Sequence, residues 1–135
     1  MLPSPPYALA ASTFRFRALV SLAERLPLGG EREVILATFL AARLVWDSAA
    51  GGIDLPLRRA RVANARTWLQ SLALTSSVKP GFLQLFEGLV ADDRAAIAAA
   101  WERVSAAVAK MLDGPARNDV KAVAARLARG SSSTS

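Results

Sequence analysis

The sequence contains no cysteine and no histidine among its 135 residues. Without cysteine it can form neither a disulfide nor a thiolate metal site, which fits a reducing compartment. Without histidine it lacks the commonest general base and the commonest metal ligand, so ferritin-like di-iron sites and the usual zinc sites are excluded. These two absences predict a protein that is not an enzyme and that needs no metal or cofactor.

Membrane-spanning runs and targeting signals are also missing. The longest uncharged apolar run, residues 34–42, is much shorter than the ~20 residues that a membrane-spanning helix needs. The N-terminus carries three prolines and lacks the basic start of a secretory signal peptide. We therefore expect a cytoplasmic protein with no membrane contact. The composition also predicts a single domain over residues 1–130 and a flexible tail, "SSSTS", over residues 131–135.

Alanine and arginine are abundant. Alanine supplies 28 residues, and hydrophobic types make up 53% of the chain. Because alanine is the best helix former, this composition is typical of an all-helical protein. Seventeen basic residues, fourteen of them arginine, stand against eleven acidic residues and give a formal net charge of +6. This excess favours an anionic partner, because arginine stays charged and binds planar anions bidentately.

Apolar periodicity predicts two long helices in the first part of the chain. Helix 1 covers residues 7–26 and ends at the proline of "LPLGG". Helix 2 begins near Glu31 and continues through "VILATFLAARLVWDSAA", whose small polar face predicts a central position. Arg43 lies inside this apolar run. We interpret it as an edge residue whose charge reaches solvent, with an inward-facing anion ligand as the alternative.

Capping residues indicate where helices begin in the second part of the chain. Helix 3 starts at the N-cap Asp54 and runs to about Leu74. Helix 4 covers residues 80–112, and the sequence leaves open whether Asp92 and Asp93 divide it. After "DGP", the stretch "RNDVKAVAARLA" leaves room for a short fifth helix. These elements predict an all-α protein, an up-down-up-down four-helix bundle with an optional short C-terminal fifth helix.

Positive charge concentrates on helix 3. Between residues 55 and 86 the sequence has five basic residues and no acidic one. At helical spacing the arginines border the apolar stripe on both sides, and Arg59 and Arg66 share a face. Because the run has one sign, we predict guanidinium groups without internal counter-ions that bind nucleic-acid phosphates, with an ordinary solvated face as the alternative. The predicted nucleic-acid-binding residues are Arg15, Arg17, Arg58, Arg59, Arg61, Arg66 and Lys79.

Large aromatic side chains also have a functional consequence. Six of them are difficult to bury together in one four-helix core of this size, so we expect some of them in contacts between subunits of a homo-oligomer. The alternative is a monomer in which the fifth helix covers several of them. They are Phe14, Trp46, Trp68, Phe82, Phe86 and Trp101.

Two segments together resemble a known family. The stretch "RLPLGGEREVILATFLAA", a short glycine loop and "LRRARVANARTWLQSLAL" resemble the accessory variability determinant proteins of diversity-generating retroelements, which are related to other four-helix-bundle proteins. The resemblance spans about residues 14–112, and "ARTWLQSLAL" stands where the family has a Leu-Arg-x-x-Leu-Arg-Leu-Ala-like ending. The chain departs from the family in helix 4, where "AAVAKMLDG" replaces a glycine pair followed by tryptophan, and in the additional fifth helix.

The resemblance implies a function. Members of that family form a basic, ring-like homopentamer that binds RNA and the element's reverse transcriptase, and they support mutagenic cDNA synthesis without being enzymes. By this resemblance, Arg58, Arg59, Arg61 and Arg66 belong to the nucleic-acid surface. Two other functions stay open: a helical protein–protein interaction scaffold without nucleic-acid binding, and a small arginine-based enzyme of the chorismate mutase kind.

Overall fold

The computed structural model describes residues 16–27, 29–49, 54–71 and 78–132. These residues form six α-helices and one 3-10 turn, Ala109–Met111. The helices are α1 (Arg17–Arg25), α2 (Gly30–Ala49), α3 (Leu55–Gln70), α4 (Lys79–Ala91), α5 (Arg94–Val108) and α6 (Gly114–Ser132). The all-α class is confirmed, whereas six helices do not confirm a four-helix bundle. No helix in these ranges is both long enough and apolar enough to cross a membrane.

The second helix lies at the centre of the fold, as its sequence predicts. Every residue from Val34 to Ala42 is buried, and Phe39 and Leu40 are fully enclosed. All five other helices contact α2, and they surround it in the order α3, α4, α5, α6, α1. A helix that is apolar on all sides needs this position, because no face of it can be left in water at low cost.

The first helix is shorter than predicted. Phe16 adopts left-handed backbone angles, φ 62° and ψ 31°, immediately before α1. This conformation cannot continue a right-handed helix, so α1 begins at Arg17 and the prediction of one helix from Tyr7 through Phe16 is wrong. Residues 1–15 lie outside the described residues. The other end agrees with the prediction, since Leu26 is extended with ψ 147°.

The third helix begins where the sequence predicts. The Asp54 carboxylate accepts a hydrogen bond from the backbone N–H of Leu57 at 3.0 Å, which makes Asp54 the N-cap. The described helix ends at Gln70. The end predicted at Leu74 falls on residues 72–77, outside the described part of the chain.

The predicted fourth helix is two helices in the structure. Asp92 follows α4 with φ 57°, and Asp93 accepts a hydrogen bond from a first-turn N–H of α5 at 3.1 Å. The two helices then fold back on each other. Gly88 permits their close approach, because a Cβ there would lie 3.3 Å from the backbone nitrogen of Ile97. The sequence left this break open, and packing of α5 against α4 decides it.

The last helix is longer than the short fifth helix that the sequence suggests. It has 19 residues and packs against α1, α2 and α5. It extends through Ser132, and residues 133–135 lie outside the described part. Its buried stripe consists of Ala116, Val120, Val123 and Leu127.

Because α6 completes the core, four of the six aromatic side chains need no second subunit to cover them. Trp68, Phe82, Phe86 and Trp101 are buried within one chain, and Trp46 is half-buried between Phe16 and Arg126. The structure thus buries four of the six within one chain, in agreement with the alternative of a covering fifth helix, and leaves Trp46 partly accessible. Phe14 lies outside the described residues.

Asp113 connects the start of α6 to the end of α1. Its carboxylate accepts a hydrogen bond from the backbone N–H of Ala116 at 2.9 Å and pairs with Arg25. The Ala116 hydrogen bond, and after it the Arg25 hydrogen bond, hold the pKa of Asp113 below its ordinary value of 3.8. A lowered pKa means that the folded chain binds the proton less readily than the unfolded chain. Asp113 therefore stabilises the fold above the unfolded-state pKa, and this contribution is lost as pH falls through the folded-state pKa.

We expect the unfolding free energy of the Asp113→Asn variant to change less at acid pH than that of the parent chain. The parent should lose more unfolding free energy than the variant between about pH 6 and about pH 3, because only the parent loses a charged partner of Arg25. Urea denaturation at several pH values measures this difference. Glu24→Gln, a change to an exposed acid on α1, serves as the control. Identical pH dependence of the parent and Asp113→Asn would contradict the prediction.

Candidate nucleic-acid interface

The predicted interface centres on α3, which has one buried and one exposed face. Its buried face is apolar and contains Val62, Ala65 and Leu69, at the three- and four-residue spacing of a helix packed on one side. Arg59 and Arg66 lie on the exposed side of the helix. No acidic residue follows the N-cap Asp54 within α3. The folding of α3 therefore presents positive charge to solvent through these two arginines.

Arg58 does not belong to that exposed side. It is only 6% exposed, and its Nη1 lies 2.5 Å from the Oδ1 of Asp92, just after α4. The prediction that Arg58 lacks an internal counter-ion is wrong. Its position near the centre of the apolar stripe turns it toward α4, where the break after α4 supplies a carboxylate. Arg58 thus joins α3 to the turn between α4 and α5.

Arg61 also has internal partners. Its Nη1 lies 3.8 Å from Asp47 on α2, and the same carboxylate lies 3.6 Å from Arg43 one turn earlier on α2. Asp47 therefore neutralises charge from both helices, and the prediction of an unpaired guanidinium is wrong for Arg61 as well. Arg43 is half-buried, and its ion pair agrees with an edge position better than with an inward-facing anion ligand.

Arg59 and Arg66 fit the prediction better. Arg59 donates from Nε to the backbone oxygen of Val90 at 3.3 Å, which fixes its stem against α4 without neutralising its charge. Arg66 is exposed and forms no ion pair or hydrogen bond with the described residues. The two residues are seven apart, so their Cα atoms are separated by about 10 Å along the helix axis. Neither guanidinium has a carboxylate partner in the described part of the chain.

The remaining predicted residues are distributed over the molecule. Lys79 is half-buried at the first position of α4, and it forms no ion pair among the described residues. Since Arg58 and Arg59 contact the far end of α4, α3 and α4 run antiparallel, and Lys79 lies at the end of the pair where α3 terminates. Arg17 is exposed on α1, which packs against α2 and α6. Arg15 lies outside the described residues.

Sequence reasoning missed the two carboxylates that neutralise the neighbouring arginines. The Arg43–Asp47 pair has i,i+4 spacing on one helix and could have been predicted. Asp92 is 34 residues from Arg58, so no local signal connects the two residues. The arrangement that results is a two-arginine surface, Arg59 and Arg66, which can form salt-dependent contacts with phosphates but offers no nucleophile or general base.

Comparison with family models, with curated proteins and with solved structures gives no match for this chain. Among the described residues, no group of three or more histidine, cysteine, aspartate or glutamate side chains is arranged to hold a metal ion.

Proposed function

We propose that this protein is a non-enzymatic, basic helical protein that binds nucleic acid through phosphate contacts on the outer side of α3. The observation that carries the proposal is that Arg59 and Arg66 share the exposed side of α3 and have no carboxylate partner in the part of the chain that the structure describes. Arg59 is additionally held by Val90, so its guanidinium loses little side-chain freedom when it meets a phosphate. The net charge of +6 strengthens the attraction of any polyanion to this surface.

Such binding has a definite physical character. Two arginines that contact phosphates provide affinity without reading base edges, so we expect weak sequence specificity. Each neutralised phosphate releases counter-ions, which makes the affinity fall steeply with salt concentration. Lys79 and Arg17 add positive potential at a distance, whereas Arg58 and Arg61 serve the fold.

The more specific function that the resemblance implies rests on that resemblance alone. We propose, at this level, a cytoplasmic homo-oligomer, a pentamer of four-helix-bundle type, that binds a reverse transcriptase and assists retroelement cDNA synthesis. Light scattering on the purified chain tests the subunit number, and co-purification with a reverse transcriptase encoded beside it tests the partner. If the chain is a monomer that binds nucleic acid, the proposal of a homo-oligomer is wrong and the proposal of phosphate binding still stands.

Simultaneous reversal of the two exposed arginines tests the central proposal. We expect Arg59→Glu with Arg66→Glu to weaken binding to a single-stranded RNA or DNA oligonucleotide by about tenfold or more near 0.1 M salt. Removal of two phosphate contacts should also reduce the slope of log affinity against log salt by about 1.4. Fluorescence anisotropy titrations at several salt concentrations measure both effects.

A matched control distinguishes local contacts from total charge. Lys110→Glu with Arg129→Glu also exchanges two exposed basic residues for acidic ones, but on the 3-10 turn and α6. Both double variants have a formal net charge of +2, since +6 − 4 = +2. Equal loss of affinity in the two double variants would show that only the overall charge matters and would contradict an α3 interface.

A second candidate function is a protein–protein scaffold, and two exposed apolar residues on α3 and α4 favour it. Leu57 is 42% exposed on α3, and Val90 is 38% exposed on α4, where its carbonyl accepts from Arg59. A protein partner would contact either of these apolar residues as well as the charge. Substitution of both residues by serine should then remove partner binding and leave nucleic-acid affinity unchanged. The third candidate function, an arginine-based enzyme, relied on Arg43 as an inward-facing anion ligand. Its ion pair with Asp47 makes Arg43 a weaker candidate for that role.

A further inference from the structure

A shallow groove lies between α5 and α6, on helices that the proposed function does not use. Its cavity volume is about 360 Å³, within the range of small-molecule sites. We call it the α5/α6 groove. Its lining residues on α5 are Ala98, Trp101, Glu102 and Ser105, and those on α6 are Val120, Lys121, Ala124, Leu127 and Ala128.

The groove exists because its walls are alanine and its floor is larger apolar side chains. Trp101, Val120 and Leu127 are buried and form the floor, and the Trp101 indole N–H donates to the backbone oxygen of Val120 at 3.4 Å. Ala98 and Ala124 form the walls beside this floor, whose side chains are between 1% and 8% exposed. An apolar ligand would therefore cover the alanine methyl groups of the walls, and it needs no change in the fold to enter.

The groove is polar at one end and apolar at the other. Since Trp101 contacts Val120 and the two helices run antiparallel, Ser105 lies toward one end of the groove. Leu127 and Ala128 lie toward the opposite end, together with other apolar lining. The α5 lining from residue 98 to residue 105 spans about 10 Å. This gradient fits a ligand with a polar head and an apolar tail.

The head of the ligand follows from the charges on the two walls. Glu102 projects from α5 and Lys121 from α6, both exposed and neighbouring the Trp101–Val120 contact. Neither side chain forms an ion pair or hydrogen bond with the described residues. An anionic head would be attracted by one wall and repelled by the other, and so would a cationic head. A head that carries both charges satisfies both walls.

We propose that the α5/α6 groove binds a zwitterionic amphiphile. The ammonium group of its head lies against Glu102, and the anionic group lies against Lys121. Its apolar tail lies between the wall residues Ala98 and Ala124, above the enclosed Trp101, and extends toward Leu127. The proposal is independent of nucleic-acid binding, because it uses none of the α3 residues.

Three amphiphiles with the same octyl tail test the proposal: octyl betaine, which is zwitterionic, octanoate and octyltrimethylammonium. Each is titrated into the full chain below its micelle concentration and followed by two-dimensional ¹H–¹⁵N nuclear magnetic resonance. The Trp101 indole N–H reports on the groove floor, and the indoles of Trp46 and Trp68 serve as controls in the same spectrum. We expect octyl betaine to shift the Trp101 signal and to bind about fivefold more tightly than either singly charged compound.

Charge-neutralising variants should invert this preference. Glu102→Gln should weaken octyl betaine and strengthen octanoate, because the wall that repels the anion is gone. Lys121→Gln should weaken octyl betaine and strengthen octyltrimethylammonium for the opposite reason. Exposed pairs of this kind contribute little each, so we expect changes of about two- to fivefold.

A blocking variant and its matched control test the location. Ala124→Phe should fill the groove and remove the shift of the Trp101 signal, whereas Ala125→Phe, at an exposed α6 position outside the lining, should not. Equal affinity for the three amphiphiles, or binding that survives Ala124→Phe, would overturn the proposal. Self-association of the chain that Ala124→Phe abolishes would also overturn it, because the occupant would then be a second copy.

Discussion

Replacement of Trp101 by alanine should lower the unfolding free energy by about 4 kcal/mol, the largest loss that we expect from any single change considered for this chain. Trp101 is 1% exposed, and it fills the space between α5 and α6. Truncation to alanine removes a large apolar area and leaves a cavity that fixed helices cannot close completely. Urea denaturation followed by far-ultraviolet circular dichroism measures the loss.

Two variants show whether burial is the cause. Trp101→Phe keeps most of the apolar volume and loses the hydrogen bond to Val120, so it should cost clearly less than Trp101→Ala. Trp46→Ala removes an identical side chain from a half-buried position next to Arg126 and should also cost less. If Trp46→Ala and Trp101→Ala lowered stability equally, the assignment of Trp101 to the central core would be wrong.

The second large effect concerns the ion pair between Arg58 and Asp92, whose two partners differ in exposure. The Arg58 side chain is almost enclosed, whereas the Asp92 side chain is 56% exposed. Asp92→Asn should therefore destabilise the fold by about 2 kcal/mol, because it leaves an enclosed guanidinium without its counter-charge. This value lies below the usual cost of breaking a fully buried pair, because water reaches one partner. Asparagine tolerates the left-handed backbone at this position, so backbone strain adds little.

Removal of the Arg58 guanidinium should lower the unfolding free energy less than removal of the Asp92 carboxylate. Arg58→Met keeps an apolar stem against α4 and leaves Asp92 in contact with water, so we expect a loss of about 1 kcal/mol or less. In the double variant the two losses should not add, because both changes remove the same interaction. Thermal or chemical denaturation of all four proteins completes the cycle. Additive losses, or a larger loss for Arg58→Met than for Asp92→Asn, would contradict this account.

The same ion pair explains why the candidate site was only partly predictable. The wheel positions of Arg59 and Arg66 depend on spacing within α3, and the structure leaves both exposed as predicted. Arg58 is one residue from Arg59, yet it is enclosed because the α4–α5 turn supplies a carboxylate from 34 residues away. A run of like charge in the sequence shows which residues can be exposed. It does not show which of them another helix will neutralise.

Helix boundaries also divide into those that nearby residues determine and those that packing against other helices determines. The N-cap at Asp54 was predicted correctly because capping uses atoms three residues apart. The length of α6 was not predicted correctly, because its apolar stripe is stabilised only by burial against α1, α2 and α5. The position of the aromatic side chains had the same origin: the sequence left subunit contacts and a covering fifth helix open, and in the structure α6 covers Trp101.

By itself, the sequence determined that the chain is helical, that α2 lies at the centre, that α3 starts at Asp54 and that α3 carries a concentration of positive charge. Each of these depends on composition or on atoms a few residues apart. Only the tertiary structure decided that α4 and α5 are separate, that α6 completes the core, and that Arg58 and Arg61 are neutralised while Arg59 and Arg66 have no carboxylate partner among the described residues. Those outcomes depend on which surfaces meet, because burial and ion pairing join residues that are distant along the chain.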